Sequence, residues 1–280
     1  MSGKSIRLSK LFNEKSGNSI IIAFDHGGTR GAMEGIENPY KIVKKSIDLR
    51  AEGILMHNGL AKATQDMFEG RNAPARILTI DYVLRSCIPG KPSGIYGHGL
   101  LRSEQPALDV LLNAAEAVKV LLIWGLDKKT QLENIKMVAN IADKCDRWQV
   151  PLMVEPVLWG EDIPPEEKNN PELIENAARI SFELGADILK IPYTGDKKTF
   201  SQIVERLKIP VLILGGPKTK SIKDAFQVVK DSIDVGGRGV AFGRNIWQNP
   251  EMDKVIQILQ DIIHNGIGVD ESIKLRDIHE

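Results

Sequence analysis

The stretch "ADILKIPYTGD" (Ala186 to Asp196) sets one lysine, Lys190, inside a run that otherwise reads as a buried strand. Ile188, Leu189 and Ile191 surround it, and Pro192 closes the run before a turn. An ammonium group in such a place is costly unless it is paired or neutral. A neutral amine attacks a carbonyl, and the resulting carbinolamine dehydrates to an iminium. That iminium draws electrons from the neighbouring C–C bond and lets it break or form. Desolvation pushes a lysine toward the neutral form, and a second cation, with Lys218 as the candidate, would push it further. The plain alternative is a Lys190–Asp25 ion pair that ties two strands together. Residue types alone leave both readings open.

Other polar residues fall at comparable places, just where apolar runs end. "FDHGG" supplies Asp25 and His26, "LMHNG" supplies His57 and Asn58, and one run ends at Trp124. "MVEPVLWGED" offers Glu155 and Trp159, the latter as a pocket wall, and Tyr193 follows the lysine. "LILGGPK" and "GVAFGRN" are glycine-rich ends of successive strands, each leading into a helix. Barrel enzymes often hold phosphate on the loops after these two strands, through backbone N–H groups. Gly215, Gly216 and Gly243 would let the backbone approach an anion, with Arg244 adding a charged hydrogen bond and Lys218 beside it. Taken singly, each residue is more readily a capped or solvated loop position; jointly they describe a site.

The elements that must position them recur along the chain. Strands are predicted over Ser19–Phe24, Gly53–Met56, Arg76–Asp81, Lys119–Ile123, Pro151–Glu155, Asp187–Ile191, Pro210–Leu214 and Gly239–Phe242. Helices are predicted over Pro39–Arg50, Leu60–Phe68, Pro106–Ala117, Lys129–Trp148, Pro171–Leu184, Lys198–Leu207, Ile222–Ser232 and Pro250–Asn265. Asn170-Pro171 and Asn249-Pro250 read as helix starts, and Asn265-Gly266 reads as a stop. Eight alternating units imply a parallel sheet closed into a (β/α)₈ TIM barrel, with Ser2–Gly17 crossing its bottom. No GxGxxG follows the first strand, which disfavours an open dinucleotide-binding sheet. The longest irregular loop, Arg85 to Glu104, should lie over the catalytic face. At 280 residues the chain suits one domain, residues 1–280, of this kind.

Composition narrows the function. Lys plus Arg equals Asp plus Glu at 37 each, so no global charge favours nucleic acid or a membrane surface. The opening "MSGKSIRLSKLFNEKSG" has no apolar leader core, and no run approaches a membrane span. Cys87 and Cys145 stand far apart without a CxxC, which fits a reducing compartment. A cytoplasmic enzyme is the expectation.

"HGG", "LMHNG", "LKIPYTGD", "GGPKT" and "GVAFGRNIWQNP", in this order, resemble the archaeal-type class I fructose-bisphosphate aldolases. That superfamily also holds aminodideoxyheptulosonate synthases and thiolase-like enzymes of autoinducer-2 degradation. The resemblance runs from about Ser19 to Pro250. It implies a Schiff-base lysine at Lys190, an aspartate at Asp25 that handles protons and hydroxyls, and phosphate on the Gly215/Gly216 and Gly243/Arg244 loops. A phosphorylated ketose is the implied substrate, fructose 1,6-bisphosphate foremost, with no cofactor or metal. A homo-oligomer, a decamer or related ring, is implied too. A second phosphate would need its own site, for which Lys218, Arg30 and Lys91 are candidates. The pattern departs in one place: relatives carry a proton-transferring tyrosine late in the fifth strand, where this chain has Val157. Either Glu155 takes over as acid/base, a role that a raised pKa beside the amine would favour, or the chemistry differs from sugar bisphosphate cleavage. Tyr193 is another candidate acid.

Two other readings fit fewer residues. A zinc site could draw on His26, His57 and His98 with Glu155 or Asp25, but no HxxxH or HxH pair supports it. A non-catalytic phosphosugar-binding barrel would explain the missing tyrosine but leaves Lys190 without a purpose.

Overall fold

The computed structural model describes residues 2–70, 72–84, 88–89, 97–100, 114–216 and 221–278. Eight parallel strands close a barrel: β1 Ser19–Ala23, β2 Gly53–His57, β3 Ala75–Thr79, β4 Ala117–Ile123, β5 Leu152–Val157, β6 Ile188–Ile191, β7 Val211–Leu214 and β8 Gly239–Phe242. They follow chain order around the ring, and β8 returns to pair with β1. The β-branched runs that mark the strands are covered on both faces, as a parallel sheet inside a ring of helices requires. At the seam Ser19 lies opposite Gly239, whose φ is +125°. A Cβ on Gly239 would come within 1.9 Å of the Ser19 carbonyl oxygen, so only glycine lets the ring shut there.

Most boundaries fall within two residues of expectation, and the exceptions have local causes. Asp81 leaves β3 and opens a short strand, Asp81–Leu84, that pairs antiparallel with Gly97–Leu100. The expected irregular loop Arg85 to Glu104 therefore contains a strand; residues 85–87, 90–96 and 101–104 lie outside the described residues. Most of the helix expected over Pro106–Ala117 lies outside them too, and Ala117 belongs to β4. The helix expected over Leu60–Phe68 divides into Asn58–Ala63 and a 3₁₀ turn, Gln65–Phe68. Thr64 ends the first piece, its hydroxyl bonding back to the Leu60 carbonyl at 2.8 Å. Asn170 caps Pro171–Glu183 as expected, accepting from the Glu172 and Leu173 amides. The last long helix starts instead at Met252, because Asn249 spends its side-chain oxygen on the Glu251 amide.

Side chains alternate along each strand, and this alternation builds the interior in layers. The lowest inward-facing residues include Ile21, Leu55, Ile77, Met153, Ile188 and Leu212, all fully buried. Leu11, just after the helix Gly3–Ser9, is buried against them and plugs the bottom. Two residues further along the same strands the chemistry changes. The next inward positions are His57, Thr79, Lys119, Glu155 and Lys190, and Asp25 joins them from just beyond the end of β1, four residues after Ile21. No described helix is long and apolar enough to cross a membrane.

Candidate active site

Lys190 extends from mid-β6 into the barrel and is 5% exposed. Its Nζ donates to Glu155 Oε2 at 3.0 Å. A second lysine, Lys119 on β4, places its own Nζ 2.8 Å from that same oxygen. Lys119 also reaches Asp25 Oδ2 at 3.4 Å, and the Thr79 hydroxyl donates to that oxygen at 3.0 Å. Four strands and the turn after β1 thus contribute to one continuous polar chain: Asp25, Thr79, Lys119, Glu155 and Lys190. The carboxylate facing Lys190 is Glu155, while Asp25 faces Lys119, which corrects the simple Lys190–Asp25 pairing.

Lys119 is the residue that reading strand ends missed. Lys190 is not the one lysine inside an apolar barrel strand, because "AVKVLLI" (Ala117 to Ile123) holds another. Lys119 is 2% exposed. Burial alone would lower its pKa, yet Glu155, Asp25 and Asp81 outweigh that and hold it well above the ordinary lysine value. Burial likewise opposes ionisation of Asp25, but Lys119 and Lys190 hold its carboxyl well below the usual range. Glu155 is pushed up by burial and pulled further down by the same two ammonium groups. The expected raised pKa at Glu155 is therefore replaced by a lowered one. In this state Glu155 is an anion held between two cations.

Asp81 completes the surroundings of Lys119 and locks the hairpin to the barrel. Its Oδ2 accepts from the Leu121 amide at 2.7 Å and pairs with His98 Nε2 at 2.6 Å. Asn134 donates to His98 Nδ1 and accepts from the Ile123 amide, so both His98 ring nitrogens are engaged. His98 is therefore unavailable to a metal with His26 and His57. Among the described residues no group of three His, Cys, Asp or Glu side chains could hold a metal ion.

The remaining candidates divide. His26 packs edge-on against Trp247, with ring centroids 5.5 Å apart. Burial pushes its pKa down to about 4 despite the nearby Asp25, so the ring is neutral at pH 7 and brings no charge to an anion. His57 bonds through Nδ1–H to the Thr79 carbonyl at 3.1 Å, beside the Thr79 hydroxyl that serves Asp25. Val157, at the position where the resemblance implies a tyrosine, faces inward above Glu155 and is 1% exposed, an apolar wall. Tyr193 is not brought to the centre. It lies three residues beyond Lys190, on the opposite face, and its ring packs on Phe200. Burial, then Asp231 and Asp196, raise its pKa.

Gly215 and Gly216 follow β7, and Asn245 donates to the Gly215 carbonyl at 2.9 Å, fixing that loop to the one after β8. Arg244 is half-buried, and its Nε is covered without a hydrogen-bond partner. Burial and then the proximity of Arg30 lower its pKa. Arg30 is thus close enough to bear on Arg244, and among the described residues no carboxylate forms an ion pair with either guanidinium. That arrangement favours an anion. Lys218 and Lys91 lie outside the described residues.

Residues 19–249 match the family model described as DeoC/LacD family aldolase. An uncharacterised aldolase of Saccharolobus solfataricus is 30% identical over 98% of this chain and 99% of its own. The 2-amino-3,7-dideoxy-D-threo-hept-6-ulosonate synthase 1 of Archaeoglobus fulgidus is 29% identical over 97% of this chain and 95% of its own. Among solved structures, a Schiff-base-forming fructose-1,6-bisphosphate aldolase superposes with a TM-score of 0.77 at 29% identity, covering 93% of this chain and 99% of that one.

Proposed function

The chain belongs to the DeoC/LacD family of aldolases, and from that premise we propose that Lys190 is the amine that forms the Schiff base. The enzyme is an aldehyde-lyase of the lysine-dependent class. One observation carries the assignment: Glu155 Oε2 lies 3.0 Å from Lys190 and 2.8 Å from Lys119. A lysine becomes a nucleophile by giving up a proton, and Glu155 is in place to receive it.

The steps follow from the charges. The Lys190 ammonium passes a proton to Glu155, and the neutral amine adds to the ketone carbon; the C–N bond forms as the carbonyl π bond opens, and the proton shed by the nitrogen ends on that oxygen to give the carbinolamine. The protonated Glu155 then gives its proton to the carbinolamine hydroxyl, which leaves as water, and an iminium cation remains. Asp25, an anion on the other side of Lys119, accepts the proton of the substrate hydroxyl β to that carbon. The C–C bond breaks as its electrons enter the iminium, giving an aldehyde and an enamine; the proton taken by Asp25 then goes to the enamine carbon, and water hydrolyses the resulting iminium to release the ketone and free Lys190. Lys119 keeps its proton throughout and holds both carboxylates in position. Glu155, held ionised by Lys119 and Lys190, takes the proton-transfer role that the resemblance assigns to a tyrosine at the position of Val157.

The anion-binding loops support a phosphorylated ketose as the donor half, held at Gly215, Gly216, Gly243 and Arg244. Fructose 1,6-bisphosphate is the substrate proposed first, with dihydroxyacetone phosphate and glyceraldehyde 3-phosphate as products. The test is borohydride reduction with fructose 1,6-bisphosphate, read by intact mass and peptide mapping. A single adduct on Lys190, absent from Lys190→Ala, is expected. An adduct on Lys119 or Lys218 would overturn the assignment.

A further inference from the structure

Two buried lysines share one carboxylate oxygen. Lys119 on β4 and Lys190 on β6 flank Glu155 on β5, and their Nζ atoms lie 2.8 Å and 3.0 Å from its Oε2. The two side chains are almost equally buried, 3% and 6% exposed. Neither contact with Glu155 nor access therefore decides which amine gives up its proton. The other carboxylates do differ. Among the described residues Lys190 forms an ion pair with Glu155 alone, whereas Lys119 also reaches Asp25 and lies in the field of Asp81.

Glu155 and Asp25 each carry a proton at one stage of the reaction, so neither is an anion throughout. Asp81 lies off that route. It stands two residues beyond Thr79, the β3 partner of Lys119, and its side chain is fully buried. Its Oδ2 accepts from the Leu121 amide and pairs with His98 Nε2. Asn134 spends its oxygen on the Ile123 amide and so turns its NH₂ toward His98 Nδ1. Nδ1 is then an acceptor, and the ring proton sits on Nε2, facing Asp81. Asp81 thus accepts from both neighbours and is itself an anion. Its Oδ1 is buried and without a hydrogen-bond partner. Burial opposes this charge, but Lys119, ahead of His98 and the Leu121 amide, outweighs burial and holds the carboxyl below its ordinary value.

We propose that Asp81 is a positioning residue that selects the nucleophile: its charge keeps Lys119 an ammonium while Glu155 and Asp25 are protonated in turn, and so leaves Lys190 as the amine set free. When Glu155 takes up a proton, Lys119 loses the nearest of its counter-charges. Without a substitute it would compete with Lys190 to be the neutral amine. A carboxylate fixed by a backbone amide and a histidine, away from the reacting atoms, is that substitute. The link to the nucleophile rests on the Schiff-base reading of Lys190; the charge of Lys119 does not.

The experiment uses Glu155→Gln to hold the cluster in the state in which residue 155 is neutral. Reductive methylation with ¹³C-formaldehyde and cyanoborohydride, mapped by peptide, marks neutral amines without any substrate. Lys190 should be methylated about 10-fold or more faster than Lys119, since one nearby opposite charge changes the neutral fraction by about 10- to 1,000-fold. Adding Asp81→Asn, which keeps an acceptor for the Leu121 amide but removes the charge, should raise labelling of Lys119 about 10-fold or more. Adding His98→Leu instead, which loosens the hairpin but leaves the Asp81 charge, should not.

Equal labelling of the two lysines in Glu155→Gln would overturn the proposal with Asp81 untouched. So would an unchanged Lys119 rate on adding Asp81→Asn, or an equal rise on adding His98→Leu, which would make Asp81 a structural tie. The same ranking should hold in the unaltered protein, where faster labelling of Lys119 than of Lys190 would overturn the proposal with no variant at all. Borohydride trapping with fructose 1,6-bisphosphate scores Lys190 as the Schiff-base amine separately. An adduct elsewhere sinks that reading, while methylation decides the charge of Lys119 in either case.

Discussion

In the lower half of the barrel interior, Ile21, Leu55, Ile77, Met153, Ile188 and Leu212 pack on one another and on Leu11. In the layer above, His57, Thr79, Lys119, Glu155 and Lys190, with Asp25 just past the end of β1, do the opposite. Apolar side chains in the lower half are non-directional and tolerate exchange at constant volume. In the upper half each group is stable only because a specific partner is present. Glu155 is an anion because two ammonium groups flank it, and Lys119 is a cation because carboxylates surround it. The lower half supplies stability and the upper half consumes some of it, as sites held in buried charge generally do.

Substitutions can break this contrast, and the largest effect is expected at Glu155. Glu155→Gln should keep the shape, and the kcat loss should be on the order of 10²- to 10⁴-fold, the usual worth of a general acid or base. One limb of the pH–rate profile should vanish with it. Near-normal kcat with an unchanged profile would make Glu155 structural.

Lys119→Met should come next, leaving Asp25 and Glu155 short of a counter-charge. Removing one partner of a buried ion pair costs about 3–5 kcal/mol, measurable by urea unfolding. A loss under about 1 kcal/mol would show that Lys119 compensates little. In the lower half, Leu55→Ala should cost about 2–5 kcal/mol through the cavity it leaves. Its borohydride adduct on Lys190 should form as before; loss of the adduct would show that the two halves are not separable.

The smallest effect is a pH dependence. His26 titrates at about 4 in the folded chain, against 6.5 as its ordinary value. The unfolded chain therefore takes up a proton first as pH falls, so His26 contributes stability that is complete above 6.5 and is lost toward 4. The loss across this window should be on the order of 1–3 kcal/mol. Asp25 and Glu155, held low, contribute stability that disappears only at still lower pH. In His26→Gln the fall between 6.5 and 4 should flatten; an unchanged slope would assign it elsewhere.

Much of this is legible in the sequence. The strand runs, the alternation and the polar strand ends put Asp25, Glu155 and Lys190 together at the upper ends of barrel strands, which is where they lie, because a parallel barrel turns sequence position directly into height. Lys119 was overlooked although "AVKVLLI" carries the same signal as "ADILKIP", a charge inside an apolar run. It escaped because β4 begins two residues earlier than expected, which raises Lys119 from the strand's start to the catalytic layer. The pairing of Asp81 with His98 was not legible, since it depends on a hairpin folding back within a loop. Tyr193 was misplaced by parity alone: three residues on from Lys190 is the other face.

The seam between β1 and β8 bears on how activity appears as the chain folds. Neighbouring strands around most of the ring are also neighbours in sequence, and each pairing closes a short loop. Ser19 and Gly239 come from opposite ends of the chain, and their pairing closes nearly all of it. Long-range contacts of this kind carry the greatest loop-closure entropy and form slowly. Asp25 rises from one side of that seam and the Gly243–Arg244 loop from the other. A partly folded sheet can hold Lys190 beside Glu155 while the anion loops still lie apart from Asp25. Recovery of turnover during refolding is thus a clock for ring closure, running later than any probe of helix content.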